Sequence, residues 1–250
     1  MRVEILNTGT ELLLGSVLNT HVRLFAEALF PMGLRIQRQV AVPDGNPIRE
    51  AIAETPGRAE IVLITGGLGP TTDDITRDAV SEWLGLELTR DASVAAAIGD
   101  RFARRGLTMT PRNLRQADRP AAARVLPNPN GTAPGLYLPP QPVPDSAGML
   151  SPQLFLLPGP PRELKPMLWD HVLPILRGIV PIRADNQNLR LLRLVGVGES
   201  TVEHAVGEAL LALGLELGYC ARPNEVDVRM IGTIQQLERG ESIVRAAFET

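Results

Sequence analysis

Ile61-Val-Leu-Ile-Thr-Gly-Gly-Leu-Gly-Pro-Thr-Thr-Asp-Asp-Ile-Thr76 is the stretch that decides the fold. Residues 61–64 are all apolar, which is the pattern of a strand buried on both faces of a parallel sheet. The glycines and proline of residues 66–70 predict a turn, and a helix is expected next, with Asp73 and Asp74 in its first turn. This order predicts an anion site, because glycines let backbone N–H groups approach a ligand and a helix N-terminus is partially positive.

Two strand–helix units precede this stretch and place it in a larger sheet. Residues 3–6 predict a short strand, followed by a glycine turn at Gly9 and a helix over about residues 20–32. Residues 34–42 alternate apolar and polar side chains and predict a second strand, and Pro47 is suited to the first turn of the next helix. The β–α–β–α–β order predicts an α/β fold with a doubly wound, mostly parallel sheet, whose strand ends share one ligand-binding edge.

A change in sequence character around residues 178–187 predicts a domain boundary. We expect a first domain over residues 1–178 and a smaller α+β domain over residues 188–250. In the second domain the pattern predicts a strand, a glycine turn, a helix, two strands and a final helix. The chain ends where a further strand of this domain would be expected.

Composition and charge disfavour several classes of protein. The formal net charge of −3 and the pI near 5.7 give no reason to expect affinity for nucleic acid or membranes. Only 4% of the residues are aromatic, so few side chains could stack on single-stranded bases. No stretch has the roughly 20 apolar residues of a membrane span, and the N-terminus lacks the pattern of a signal peptide. We therefore expect a cytoplasmic protein, with the single cysteine, Cys220, as a small buried strand residue.

Four acidic residues belong to predicted turns after strands: Glu11, Asp44, Asp73 and Asp74. Carboxylate oxygens without a His or Cys cluster favour Mg²⁺ or a similar hard cation over zinc. Two carboxylates beside an anion site indicate a cation that bridges them to phosphate, and hence a metal-assisted phosphate-ligand site. The alternatives are that Asp73 and Asp74 only stabilise a helix N-terminus, and that Glu11 and Asp44 are solvated turn residues.

Histidines and arginines mark no site by their pattern. The three histidines, His21 among them, fall in separate predicted helices without metal-ligand spacing, so we expect partly exposed positions. A helix over residues 91–106 is predicted to turn Arg101, Arg104 and Arg105 outward. Acidic residues at the expected site favour metal-assisted chemistry over simple binding of phosphate, which would prefer basic residues.

Four motifs, in this order and spacing, resemble the CinA (competence/damage-inducible protein) family. They are Thr8-Gly-Thr-Glu-Leu-Leu-Leu-Gly15 with Asn19, Thr65-Gly-Gly-Leu-Gly-Pro-Thr-Thr-Asp-Asp-Ile-Thr76, Asn130-Gly-Thr-Ala-Pro-Gly135 and Leu157-Pro-Gly-Pro-Pro-Arg-Glu-Leu-Lys-Pro-Met167. The resemblance implies a molybdopterin-binding-like (MoCF) first domain. Residues 188–232 are similar to the KH-type domain that follows it in CinA proteins.

The resemblance implies a divalent-cation-dependent ADP-ribose pyrophosphatase, a hydrolase that releases AMP and ribose 5-phosphate. It implies Asp44 and Asp74 as catalytic residues, and a metal such as Mg²⁺ held by Asp74, Asp73 and Glu11. A metal-polarised water would attack phosphorus, and a homodimer would act on a small-molecule nucleotide. The implied substrate-binding residues are Thr10, Glu11, Asn19, Gly66, Gly67, Gly69, Pro70, Thr71, Gly131, Thr132, Ala133, Pro134, Pro158 and Gly159.

Two other functions stay open at this point. The alternative is a non-hydrolytic molybdopterin- or nucleotide-binding protein related to molybdenum-cofactor metabolism, and the least supported is a scaffold that acts through the KH-type domain. Because Gly198 is followed by Glu199 rather than by a basic G-x-x-G loop, RNA binding is not expected. Full-length CinA proteins also carry a C-terminal nicotinamide-mononucleotide deamidase domain, and no part of these 250 residues corresponds to it.

Overall fold

The structure is a computed structural model that describes residues 1–181 and 188–248. The chain divides into two compact units, Met1–Phe30 with Leu34–Val180, and Pro31–Gly33 with Pro181–Thr250. The segment in which the sequence predicts a boundary, residues 178–187, lies largely outside the described residues. Within the described ranges, no helix has the length and apolar character needed to cross a membrane.

The strands of the first unit are β1 (Arg2–Thr8), β2 (Arg35–Val42), β3 (Ile61–Thr65), β4 (Leu88–Arg90), β5 (Asp118–Pro120), β6 (Arg124–Leu126), β7 (Gly135–Leu138) and β8 (Gln153–Leu157). Six of them form one sheet in the order β2-β1-β3-β8-β7-β6. Neighbours from β2 to β8 run parallel, whereas β7 and β6 are antiparallel. Strands β4 and β5 form a separate antiparallel pair. The predicted α/β fold with a mostly parallel sheet is confirmed.

Strand β3 lies at the centre of the core, as its continuous apolar run predicts. All five of its residues are buried, and burial of each large aliphatic side chain contributes about 1.5–3 kcal/mol. Leu6 of β1 is level with Ile64 of β3, and Ile64 is level with Leu156 of β8. Because the three strands end at the same level, the turns that follow them begin at one edge of the sheet.

The helices of the first unit are α1 (Thr10–Leu13), α2 (His21–Leu29), α3 (Asn46–Ala53), α4 (Thr76–Trp83), α5 (Ala92–Arg104), α6 (Pro161–Met167) and α7 (Leu173–Ile179). Two 3₁₀ segments cover Phe30–Met32 and Pro111–Ala117, and a π-helical segment, Leu168–Val172, joins α6 to α7. Pro166 lies inside α6 just before that segment. Since proline has no backbone N–H, it interrupts the regular α-helical hydrogen bonds there.

The helix after the glycine turn begins later than predicted. Because α4 starts at Thr76, Asp73 and Asp74 lie in the preceding loop and not in the first helical turn. The Asp74 carboxylate accepts hydrogen bonds from the backbone N–H and the hydroxyl of Thr71. Such local side-chain bonds compete with helix formation, so Asp74 stabilises the loop conformation instead.

Helix α5 begins at a well-defined cap. The Asp91 carboxylate accepts hydrogen bonds from the backbone N–H groups of Ser93 and Val94, at 3.0 and 3.1 Å. The Arg119 guanidinium donates to the second Asp91 oxygen at 2.9 Å. The Ser93 hydroxyl also donates to Asp91 at 2.6 Å, and this bond first, then those from the Val94 N–H and Arg119, holds the pKa of Asp91 well below its usual range. These contacts fix the start of the helix that carries Arg101 toward the cleft described below.

The second unit has an α+β fold. Its elements are β9 (Asn188–Val195), α8 (Glu199–Ala212), β10 (Glu216–Arg222), β11 (Glu225–Gly232) and α9 (Ile234–Phe248). The strands form an antiparallel sheet in the order β10-β11-β9. Its buried core includes Val202, Val206, Leu210, Val228 and Met230. The smaller α+β domain predicted from the sequence is confirmed as a fold.

Charged residues of this unit pair with one another. The buried Asp227 carboxylate forms ion pairs with the guanidinium groups of Arg193, at 2.7 Å, and of Arg222, at 2.9 Å. Cys220 is exposed in β10, which is an edge strand among the described residues. The prediction of a buried cysteine is therefore wrong. Tyr219 of the same strand packs against the core, and because successive side chains alternate between faces, Cys220 lies on the opposite face of the sheet.

Candidate functional site

A cleft of about 540 Å³ opens at the carboxyl edge of the parallel strands. It is lined by the segments that follow β1, β2, β3 and β8, by the loop between β6 and β7, and by residues of α5 and α6. Its volume lies within the roughly 300–1,000 Å³ that is typical of small-molecule sites. This cleft is the candidate site of the first unit.

Most of the residues that the sequence predicts as site residues line the cleft. They are Glu11, Asp44, Gly66, Gly67, Gly69, Asp73, Asp74, Gly131, Thr132, Ala133, Pro158 and Gly159. The predicted residues outside the lining are Thr10, Asn19, Pro70, Thr71 and Pro134.

Four of the residues outside the lining have other contacts, and that of Asn19 is described below with His21. The backbone N–H and the hydroxyl of Thr10 both donate to Asp44 Oδ2, each at 2.9 Å. Thr71 donates in the same way to Asp74. Pro134 lines a neighbouring cavity of about 620 Å³. The polar atoms of the two threonines therefore hold the cleft carboxylates in place.

The glycine turn packs closely on its neighbours. Gly66 has a φ of +99°, and a Cβ atom at this position would lie 2.4 Å from the carbonyl oxygen of Thr8. A Cβ atom on Gly67 would lie 2.1 Å from Thr76 Oγ1. Both distances are far below van der Waals contact, so the turn requires glycine for space as well as for conformation.

The turn offers fewer free backbone donors than the sequence predicts. The Gly66 N–H donates to the carbonyl oxygen of Leu157 at 3.0 Å, which ties the turn to β8. The Thr71 N–H donates to Asp74 at 3.0 Å. Two of the N–H groups expected to bind a diphosphate are therefore engaged within the protein, and the helix N-terminus begins only at Thr76.

The acidic residues of the cleft are not arranged as a metal site. Across residues 1–181 and 188–248, no group of three or more His, Cys, Asp or Glu side chains is placed to hold a metal ion. Asp44 and Asp74 each already accept two hydrogen bonds on one carboxylate oxygen. The residues therefore do not fit the divalent ion that the family resemblance implies, and metal binding stays a prediction from the sequence.

Three arginines line the same cleft: Arg101 on α5, Arg105 directly after it, and Arg162 on α6. Arg105 is exposed, as predicted, whereas the predicted outward position of Arg101 is wrong because its side chain is half-buried. They follow Ile98, the buried residue of α5, by three and seven positions, and this spacing places them on the same side of the helix. Two signals in the sequence mark these arginines: this helical spacing, and the position of Arg162 directly after Leu157-Pro-Gly-Pro-Pro161.

Arg101 is half-buried, whereas Arg105 and Arg162 are exposed. Arg101 Nη1 donates to the carbonyl oxygen of Pro129 at 2.7 Å, and its Nε is buried without a partner among the described residues. Burial lowers the pKa of Arg101, and the positive charge of Arg105 lowers it further. An arginine stays protonated under these conditions, so the cleft contains a partly desolvated cation that an anionic ligand would neutralise.

His21 belongs to a buried polar network at the cleft. It is 7% exposed, and its Nδ1 lies 3.0 Å from Thr65 Oγ1 and 3.3 Å from Asn7 Nδ2. The Asn19 side chain accepts the His21 backbone N–H at 3.1 Å. Burial lowers the pKa of His21, and a hydrogen bond to the backbone of Gly159 partly offsets this. The prediction of a partly exposed histidine is wrong for His21, which joins α2 to the turn after β8.

The Asn128 side chain organises the loop between β6 and β7. Its Oδ1 accepts the backbone N–H groups of Asn130 and Gly131, at 3.1 and 2.8 Å. Its Nδ2 donates to the carbonyl oxygen of Ala133 at 2.7 Å and to the Glu163 carboxylate at 2.8 Å. Asn128, which the sequence analysis did not assign to the site, therefore closes this loop and links it to α6.

Residues 4–178 match the family described as probable molybdopterin binding domain, and residues 189–249 match the damage-inducible protein CinA KH domain. The chain belongs to the CinA family. Its first unit carries the molybdopterin-binding-type fold that contains the cleft, and its second unit is the CinA KH domain.

Relatives of this CinA-family chain align over nearly all of it. A CinA-like protein of Akkermansia muciniphila is 46% identical over 246 residues, which are 98% of this chain and 57% of the relative. A putative competence-damage inducible protein of Moorella thermoacetica is 39% identical over 97% of this chain and 56% of its own length. The crystal structure of CinA from Thermoplasma acidophilum, described as of unknown function, is 29% identical with a TM-score of 0.59, over 70% of this chain and 97% of that one. The chain spans a little over half the length of these curated relatives.

These matches correct the predicted function. The family that covers the first unit is described by molybdopterin binding, and neither curated relative is named a pyrophosphatase. Hydrolysis of ADP-ribose is therefore contradicted, and a non-hydrolytic molybdopterin- or nucleotide-binding protein fits better. The geometry gives a physical reason, because the Gly66 N–H is engaged and the carboxylates of Asp44 and Asp74 hold loop threonines.

Proposed function

We propose that the first unit binds a phosphorylated pterin or nucleotide in the cleft without hydrolysing it. The observation that carries the proposal is that Arg101, Arg105 and Arg162 line the same cleft as the glycine turn. Guanidinium groups form charge-assisted, often bidentate hydrogen bonds with phosphate. A cleft of about 540 Å³ with three such groups suits an anionic ligand of this size.

The acidic residues of the cleft suit the ring of such a ligand. Glu11 and Asp73 are exposed carboxylates that can accept hydrogen bonds from the amino and amide N–H groups of a pterin or purine. They come from the segments after β1 and β3, whereas the arginines come from α5 and α6. A ligand that carries both phosphate and N–H donors can therefore use both kinds of side chain.

The family description supports a pterin as the ring. Molybdopterin is a pterin that carries a phosphate, and residues 4–178 match a probable molybdopterin binding domain. A nucleotide shares both the phosphate and an N–H-bearing ring, so the experiment must separate the two ligands. Asp44 and Asp74 act in this proposal as residues that position the loops.

The test is calorimetric titration of the full chain with neopterin monophosphate and with ADP, and with neopterin as the matched ligand without phosphate. We expect saturable binding of a phosphorylated compound, at least about tenfold tighter than neopterin, because charged hydrogen bonds contribute roughly 1.5–3 kcal/mol each. Chromatography after prolonged incubation should recover the ligand intact. Equal affinity for neopterin, no binding of either phosphorylated compound, or cleavage of ADP would contradict the proposal.

A further inference from the structure

Gln116 lines the cleft and carries a buried acceptor that no residue in the described part of the chain satisfies. It lies in the 3₁₀ segment Pro111–Ala117, is 4% exposed and lines the cleft. Its Oε1 is buried and has no hydrogen-bond partner within the described part of the chain. Buried polar atoms are nearly always paired, so an unpaired amide oxygen beside a cavity indicates that a ligand supplies the partner.

We propose that Gln116 Oε1 accepts a hydrogen bond from a ring N–H group of the bound ligand. This inference rests on the proposed function and adds a contact that recognises the ring rather than the phosphate. An amide oxygen only accepts hydrogen bonds, and phosphate oxygens at neutral pH also mainly accept them. The partner of Gln116 is therefore a donor outside the phosphate, assigned in this proposal to an amino or amide N–H of the pterin or purine, while the arginines bind the phosphate.

Arg101 carries the complementary group, a buried hydrogen-bond donor. Its Nε is a buried donor without a partner among residues 1–181 and 188–248, and Arg101 lines the same cleft as Gln116. A ligand with both N–H donors and phosphate oxygens would satisfy both atoms, whereas inorganic phosphate would satisfy only the arginine. A site built to accept an N–H group discriminates strongly against a ligand that lacks it, because the acceptor is then left buried and unpaired.

Ser81 provides a matched control on another element. Its Oγ, on α4, is also buried without a partner in the described residues, but Ser81 does not line the cleft. Removal of either unpaired polar atom should leave the free energy of unfolding unchanged or raise it, because a desolvated group is lost without a bond being broken. Only the Gln116 substitution should also change ligand binding.

The experiment compares wild type, Gln116→Leu, Gln116→Met and Ser81→Ala in the full chain. Calorimetry with neopterin monophosphate and with inorganic pyrophosphate gives affinities, and urea unfolding gives stability. We expect both Gln116 variants to bind neopterin monophosphate about tenfold or more weakly, to bind pyrophosphate within about twofold of wild type, and to be at least as stable as wild type. Ser81→Ala should keep both affinities.

The outcomes separate this inference from the proposed function. If wild type binds neither probe and does not bind ADP, the proposed function fails. If it binds ADP but not neopterin monophosphate, the variants are compared with ADP in its place. If wild type binds neopterin monophosphate and both Gln116 variants bind it as tightly as wild type, the role of Gln116 is refuted while the cleft stays a ligand site. The same conclusion follows if both variants lose as much affinity for pyrophosphate as for neopterin monophosphate. A loss of stability in both Gln116 variants but not in Ser81→Ala would assign Gln116 a structural role and overturn the inference.

Discussion

The carboxylate of Asp44 holds Thr10 by two hydrogen bonds on one oxygen, from the backbone N–H and from the hydroxyl, each at 2.9 Å. The Asp44 N–H in turn lies 3.2 Å from the Thr10 hydroxyl oxygen, to which it donates. Thr10 follows β1 and Asp44 follows β2, and these two strands are neighbours in the sheet. The pair therefore fixes two walls of the cleft relative to each other.

Removal of this carboxylate should loosen the first unit. Asp44→Ala is expected to lower the free energy of unfolding by about 1–3 kcal/mol, and Thr10→Val, which keeps the backbone donor, by about 1 kcal/mol. Both tryptophans, Trp83 and Trp169, lie in the first unit, so urea unfolding followed by tryptophan fluorescence reports on that unit. Asp100→Ala, at an exposed position of α5, is the control and should change stability by less than about 0.5 kcal/mol. If Asp44→Ala matches this control, Asp44 does not support the fold.

Close packing of the glycine turn predicts that alanine destabilises the protein more at Gly66 than at Gly57, although both glycines have a positive φ. Gly66 has a φ of +99° and no room for a Cβ atom, whereas Gly57 has a φ of +71° and no atom within 4 Å of that position. Gly57→Ala carries only the backbone strain, about 1–2 kcal/mol. Gly66→Ala should lose at least about 1 kcal/mol more, because the Thr8 carbonyl must move. The same fluorescence-monitored unfolding measures both variants, and equal losses would show that the turn is not closely packed.

Burial of His21 predicts a dependence of stability on pH. Because burial lowers the pKa of His21 below its usual value of 6.5, the unfolded chain binds this proton more readily than the folded protein. Stability from this group is fully present above pH 6.5 and falls as the pH drops toward the lowered folded-state pKa. We expect His21→Gln to flatten the curve of unfolding free energy between about pH 7 and pH 5.5. An unchanged slope in His21→Gln would refute the prediction.

Much of the fold could be predicted because its signals are local. The apolar runs of β3 and β8 and the alternating pattern of β2 identify strands directly. Helix α1 has four residues and β4 and β5 have three each, which is too short for a period of 3.6 or 2 to be recognised. These elements depend on tertiary contacts, and the sequence analysis did not find them.

Local signals in the sequence also predict only part of the candidate site. Its acidic and glycine residues follow strands, so the topology of a parallel sheet brings them to one edge. Arg101 and Gln116 come from a helix and a 3₁₀ segment that line the cleft only after packing, and no local pattern marks Gln116. The late start of α4 was missed because the Thr71–Asp74 hydrogen bonds overrode the expected helix N-terminus.

The central claim is that the arginines of the cleft bind the phosphate of a ligand. Its most direct test is the affinity of the double variant Arg105→Gln/Arg162→Gln for neopterin monophosphate, measured by calorimetry at two salt concentrations. Both side chains are exposed, so the variant should fold, and Arg112→Gln, which does not line the cleft, is the control. We predict that the double variant binds at least about tenfold more weakly, with a smaller salt dependence, and that the control stays within about twofold of wild type. Wild-type affinity and salt dependence in the double variant would contradict the account.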